Sequence, residues 1–223
     1  MKTLAIVHTT PVTVDALKAL AAELLPDHRV INFVDDSILP QLKDNGGQVG
    51  AVAPRLIQYM KYAEEAGADI ILSACSSVGE VVAQARQAVS VPVVRIDEAM
   101  AEAAVRRGKR VGVAATLITT LRPTLDLIKA KAAEQPGDYQ IESILVSEAF
   151  ERLMAGDRPG HDTVLAAALE AFAQQVDVVV LAQASMAQVV DKLPEAIRGR
   201  FLSSPRLGME RVRDVAQSQG GAG

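Results

Sequence analysis

The chain carries one cysteine in 223 residues, Cys75, and no other side chain sits in so reactive a setting. Cys75 follows the apolar run DIILSA (69–74) and precedes SSVGEVVAQARQAV (76–89), which predicts a strand-to-helix turn. Ser77 and Glu80 have the spacing of a capping box, so a helix is expected to start immediately after the cysteine. The positive end of that helix would favour a thiolate. The thiol pKa is therefore expected below its ordinary value of about 8.5, with proton exchange near neutral pH. The alternative for a lone cysteine is a small buried hydrophobe. Its place beside two serines at a polar strand tip favours the reactive role.

Ser76, Ser77, Thr116, Thr119, Thr120 and Ser185 put hydroxyls on the same predicted rim. Hydroxyls and helix N-terminal amides form a cradle for a carboxylate that needs no metal. Each alone more often caps a helix. His8, Thr9 and Pro11 lie in HTTP (8–11), where they would supply a proton donor and a rigid loop, unless His8 is simply solvated. Asp35 and Asp36 read as loop caps, and His28 and His161 as surface loop residues. Three scattered histidines and one cysteine make a metal site improbable, so none is assigned.

Several sharper motifs are missing. No G-x-G-x-x-G, G-x-x-x-x-G-K-[ST] or H-E-x-x-H occurs. A receiver-type module would want an acid where Cys75 stands. A Cys75–His8 hydrolase pair lacks an evident third, orienting residue.

The elements that must position these groups are short apolar strands alternating with amphipathic stretches. Strands are predicted at 3–8, 29–34, 69–74, 91–96, 110–115, 139–146 and 177–182, mainly buried and parallel. Between them VTVDALKALAAELL and VAPRLIQYMKYAEEA repeat apolar residues at helical spacing. The alternation is that of doubly wound α/β. The pattern occurs twice: 67 residues separate His8 from Cys75, and 69 separate Ala115 from Ala184. Duplication predicts two similar halves, 1–97 with 205–223 and 98–204. Their strand tips would line one shared cleft, since ligands collect beyond the carboxyl ends of parallel strands. DEAMAEAAVRRG (97–108) reads as a bridging helix. FLSSPRLGMERVRDVAQ reads as a short strand, a break at Pro205 and a final helix packing on the first half. QSQGGAG (217–223) reads as a disordered end, and 136–138 and 155–162 as loops.

Composition supports a packed globular protein, 49% apolar. A net charge of −4, with no basic block longer than the 106–110 patch, argues against nucleic acid or an anionic membrane as partner. The first apolar run is too short for an export signal or a membrane span, which makes the cytoplasm the default location. A small molecule is the expected partner, and a homo-oligomer stays open.

HTTP, ACSSVGE, GVAATLIT and LAQAS together resemble the aspartate/glutamate racemase superfamily, over nearly the whole chain. That group includes hydantoin racemases, maleate isomerases and arylmalonate decarboxylases. The resemblance implies two pseudo-symmetric, flavodoxin-like three-layer α/β domains, with a metal-free and cofactor-free cleft between them. It also implies one cysteine from each half, on either side of the substrate α-carbon. Cys75 matches the first; at the second this reading puts Ala184, which cannot carry a proton. Arylmalonate decarboxylases also keep a single cysteine, in the other half, so this chain resembles their mirror image.

Three functions follow from the residues and the resemblance. The first is a cofactor-independent isomerase, racemase or epimerase of a small carboxylate, with Cys75 as acid/base and an enolate-like intermediate. The second is a decarboxylase in which Cys75 protonates one face. The third is a carboxylate-binding protein without turnover.

Overall fold

The computed structural model describes residues 1–220. Its contacts divide the chain into two compact units, Met1–Asp97 joined by the stretch from Pro205 onward, and Glu98–Ser204. The first unit runs β1 (Lys2–His8), α1 (Val14–Leu24), β2 (His28–Val34), α2 (Ile38–Asp44), α3 (Ala53–Glu65), β3 (Ile70–Ser73), α4 (Val81–Ala88), β4 (Val93–Arg95). The second runs α5 (Glu98–Arg107), β5 (Arg110–Ala115), α6 (Ile118–Ala133), β6 (Gln140–Leu145), α7 (Ser147–Met154), α8 (Arg158–Ala173), β7 (Val178–Leu181), α9 (Ala187–Val190), α10 (Glu195–Arg198), β8 (Phe201–Ser203). α11 (Ser204–Gly220) closes the chain.

Each unit is built on a four-stranded parallel sheet, in the order β2-β1-β3-β4 and β6-β5-β7-β8. The central strands are buried along their length, as their unbroken apolar runs require. β2 and β6 lie at edges, and their burial alternates. In the first unit Ala5, Val7, Ile71 and Val93 face Leu56, Met60 and Ala63 of α3 and Val81, Val82 and Ala85 of α4. Leu4, Ile6, Leu72 and Val94 face the other way, toward Leu17 and Ala21 of α1 and Met209, Val212 and Ala216 of α11. In the second unit Ala114, Val179 and Leu181 pack on Leu165, Leu169 and Phe172 of α8, and α5 and α6 also contact β5 and β7.

The two units repeat one another in detail. Asp69, before β3, accepts the Thr3 N–H at 2.6 Å, and Asp177, before β7, accepts the Arg110 N–H at 2.9 Å. Each carboxylate thereby anchors the start of the neighbouring central strand. In both sheets the strand order reverses between the first and third strands, which makes the tips of β1/β3 and of β5/β7 the crevices where an open parallel sheet takes ligands.

Several expectations need correction. The 155–162 stretch is not all loop: α8 starts at Arg158, capped by the Asp157 side chain accepting from Gly160 N–H, with Pro159 in its first turn. That start grammar is common, because proline at a helix start has no N–H to leave unbonded. His161 is consequently buried in α8 rather than exposed, with Nδ1 2.7 Å from Asp162 Oδ1. His28 opens β2 and is half-buried, and both its ring nitrogens are out of reach of solvent and of partners. Pro205 sits in the first turn of α11 instead of breaking it. Gln217–Gly220 continues that helix rather than being disordered; 221–223 lie outside the described residues.

Candidate active site

Cys75 lies beyond β3, adjacent to the tip of β1, at the switch point of the first sheet. It caps a 3-10 turn, Ser76–Val78, with extended backbone (φ −136°, ψ 116°). α4 starts only at Val81, and Glu80 stands at its N-cap without a side-chain capping bond rather than inside its first turn, so the expected capping box does not form. The turn aims N–H groups at the sulfur nonetheless: those of Ser77 and Val78 hydrogen-bond to it, and so does the Ser77 hydroxyl. The Thr9 hydroxyl also approaches the thiol and favours its charged form. Apart from that approach, too loose for regular hydrogen-bond geometry, this buried hydroxyl has no partner.

The thiol pKa moves opposite to expectation. Burial pushes Cys75 above the ordinary cysteine range, and the donors from Thr9, Ser77 and Val78 recover only part of the shift. The neutral thiol is therefore the resting form at pH 7. It is a proton donor first and a base only after losing that proton.

His8 is not solvated. It is fully buried, with Nε2 3.0 Å from Asn32 Oδ1 and Nδ1 2.9 Å from the Thr13 hydroxyl. Asn32 Oδ1 can only accept, which puts the proton on Nε2 and makes Nδ1 the acceptor from Thr13. Burial lowers the His8 pKa, against a smaller opposing effect from Asn32. A neutral, doubly bonded imidazole ties the loop after β1 to β2 and has no free nitrogen for a substrate. Thr10 caps the turn at Pro11–Thr13, and Pro11 is exposed on it. Ser76 is half-buried and Ser77 buried.

A pair that sequence reasoning missed supports this turn from behind. Arg95 binds Asp97 through two bonds, Nε–Oδ1 2.5 Å and Nη2–Oδ2 2.9 Å, with Asp97 wholly buried. The guanidinium lies against Gly79, where a Cβ would come within 2.3 Å of it. Two opposite charges two residues apart, closing an apolar strand, were the available signal.

In the second unit Thr116 follows β5 and is buried, Thr119 and Thr120 lie in the first turn of α6, and Ala184 and Ser185 lie in a second 3-10 turn, Ala184–Met186. The strand register shows what corresponds to Cys75. Val7 pairs with Ser73, two residues before Cys75; Ala114 pairs with Leu181, two residues before Gln183. Gln183, not Ala184, holds the equivalent place, and it likewise caps its 3-10 turn with extended backbone (φ −124°, ψ 136°). The assignment of Ala184 started from equivalent residues, His8 and Ala115, but overshot by one: the register gives an offset of 68 residues, from Ala115 to Gln183, rather than 69. The same register equates Thr9 with Thr116. Gln183 Oε1 accepts the Thr116 N–H at 2.7 Å and its hydroxyl at 3.1 Å, while Gln183 Nε2 lies 2.9 Å from that hydroxyl.

Among the described residues no cluster of His, Cys, Asp and Glu is suited to a metal ion, and no helix is long and apolar enough to cross a membrane.

The sequence profile of the Asp/Glu/hydantoin racemases matches residues 6–212. A search of curated proteins finds no match. Among solved structures, glutamate racemase RacE1 of Bacillus anthracis aligns with a TM-score of 0.77 at 15% identity, over 98% of this chain and 83% of that one. An aspartate racemase homologue of Pyrococcus horikoshii aligns at 0.74 and 18% identity, over 97% and 100%. The allantoin racemase of Klebsiella pneumoniae aligns at 0.66 and 16% identity, over 98% and 95%. At these identities the shared property is the fold.

Proposed function

Because the chain belongs to the Asp/Glu/hydantoin racemase family, we propose that it is a cofactor-independent isomerase, of racemase or epimerase type, that moves a proton at the carbon beside a small molecule's carboxylate. The observation that carries this reading is the thiol of Cys75 at the sheet's switch point, set among donors from Thr9, Ser77 and Val78. In the forward direction the thiolate takes the α-proton, and the electron pair of the broken C–H bond passes into the carboxylate as an enolate-like dianion. Inversion then takes a proton from the opposite face, delivered by water or a hydroxyl, and in the reverse direction the Cys75 thiol returns its proton to carbon. The Ser76 hydroxyl, which the sulfur does not use, is the group of the Ser76–Val78 turn that we assign to the carboxylate and to its developing charge. An unactivated carbon acid requires on the order of several kcal/mol from such stabilisation; a substrate whose carbon is already acidified, such as a keto acid, requires less.

A second reading is favoured by the raised thiol pKa. A decarboxylase has no need of a thiolate base. The C–C bond breaks, carbon dioxide leaves, its electron pair remains as the enolate, and the neutral thiol donates its proton to one face before being reprotonated from solvent. Both readings require Cys75 to hand a proton to carbon.

The test is incubation with small hydroxy, keto, amino and dicarboxylic acids in deuterated water, following deuterium at carbon and product mass, with Cys75→Ser in parallel. Exchange without loss of a carboxyl group that disappears in the variant supports the isomerase; a product lacking carbon dioxide and carrying one deuterium at carbon supports the decarboxylase. Binding without exchange, identical in the variant, leaves a carboxylate-binding protein.

A further inference from the structure

Three residues of the first unit depart from what their positions ordinarily favour, and they meet at one side chain. His8 is a wholly buried imidazole at the tip of β1, on the strand face that carries Leu4 and Ile6 toward α1. Asn32 stands inside β2, a place its type disfavours, opposite Ile6. Thr13 occupies the N-cap of α1, yet its hydroxyl makes no capping bond. Both side chains turn to the imidazole instead: Asn32 Oδ1 lies 3.0 Å from Nε2, and the Thr13 hydroxyl 2.9 Å from Nδ1. An apolar side chain would fill the same space with none of these departures. What the imidazole adds is a closed polar bridge, from the tip of β1 to β2 and to the start of α1, and a fully bonded bridge of this kind rigidifies what it joins.

Thr9 lies inside that bridge. Its hydroxyl is buried, approaches the Cys75 thiol and has no other partner. The backbone on its near side is pinned: the His8 carbonyl accepts the Asp35 N–H at 3.1 Å, and the Val7 carbonyl accepts the Ala74 N–H at 2.9 Å, next to Cys75. β1 ends at His8, so on the far side the chain is held by the Thr10 cap of the Pro11–Thr13 turn and by the bond from Thr13 back to His8.

We propose that His8 is a positioning residue for Cys75: held between Asn32 and Thr13, it keeps the chain after β1 on the course that leaves the Thr9 hydroxyl at the thiol. The inference rests on the reading of Cys75 as the proton-transferring group and names a second residue on which its ionisation depends. His8 itself exchanges no proton with the thiol, because both ring nitrogens are engaged.

Iodoacetamide alkylation of the whole chain tests this without a substrate. The plateau rate at high pH reports access to the sulfur, and the ratio of the rate at pH 7 to that plateau reports the thiolate fraction. Thr9→Val is expected to lower the ratio roughly threefold to tenfold, the effect of one modest hydrogen bond. His8→Phe, which fills the space without the two bonds, is expected to lower it to a similar extent. The double variant His8→Phe/Thr9→Val is expected to fall no further than Thr9→Val alone, because both changes act through one hydroxyl. Thr13→Ala removes the bond to Nδ1 without uncapping α1 and is expected to give part of the loss, while Thr13→Ser keeps the hydroxyl and restores the ratio. The Thr13 pair decides the matter even if His8→Phe does not fold. A ratio in Thr13→Ala equal to or above that of the wild type, a ratio unmoved by Thr9→Val, or a double variant in which the two single losses multiply would overturn the proposal. The carbon-acid function fails by a different result, absence of deuterium exchange at carbon in the wild type, so the loss of one is distinguishable from the loss of the other.

Discussion

At Cys75 two opposing effects meet, and their balance decides what the thiol does. Four donors favour the thiolate, but desolvation favours the thiol and outweighs them. The sequence supplied the donors' location, because serine and glycine after a strand end signal a tight turn; it could not supply the extent of burial, which depends on Thr9 and the chain after β1. Alkylation by iodoacetamide reads the balance directly, since the rate follows the thiolate fraction. The rate is expected to lie below that of a free cysteine at pH 7 and to reach half its maximum above pH ~8.5. Thr9→Val removes a donor that lowers the pKa and is expected to move the midpoint higher still. A midpoint below that of a free cysteine would show that the donors prevail over burial. Gln183 was hidden for a different reason: LAQAS was visible as a motif, but only the pairing of Ala114 with Leu181 shows which of its residues corresponds to Cys75.

At the scale of elements, apolar runs located every strand because the central ones are buried on both faces. The elements misread were those whose cues depend on context. In 155–162 the Gly-Asp-Arg-Pro-Gly composition suggests a turn, yet Asp157 and Pro159 are also a helix cap and first turn, and Leu165 and Leu169 decide for the helix by burying against β5 and β7. α11 is the reverse case. Its polar end continues as helix because Met209, Val212 and Ala216 hold the preceding turns on the first sheet. Gly208 allows that approach: a Cβ there would stand 2.5 Å from the Ile96 carbonyl oxygen, a backbone atom that cannot swing away. Gly208→Ala is therefore expected to destabilise the first unit by roughly 1–3 kcal/mol, despite the better helix propensity of alanine. Urea unfolding of the variant checks it, and an unchanged or raised midpoint would mean that α11 sits looser than this contact implies.

At the scale of the whole molecule, the repeat leaves the two units with different chain topologies. The first is discontinuous, since its outer layer of α1 and α11 is completed only by the last helix. The second is one uninterrupted segment, Glu98–Ser204, holding its own four-stranded sheet, the cores on β5 and β7, and the Asp177 anchor to Arg110. Its length, near 100 residues, is in the range where a single core suffices for independent stability. A polypeptide of residues 98–204 is accordingly expected to fold alone, with mixed helix and strand circular dichroism and one cooperative urea transition. A polypeptide of 1–203 keeps that segment but lacks α11, which uncovers Leu4, Ile6, Leu72 and Val94. Hydrogen exchange on it should find β5 and β7 protected and β1 and β3 exchanging rapidly. Equal protection of all four strands would show that α11 contributes little to the first core. Loss of protection in β5 and β7 as well would show that the second unit depends on the first, and that its continuous topology does not suffice to make it a folding unit.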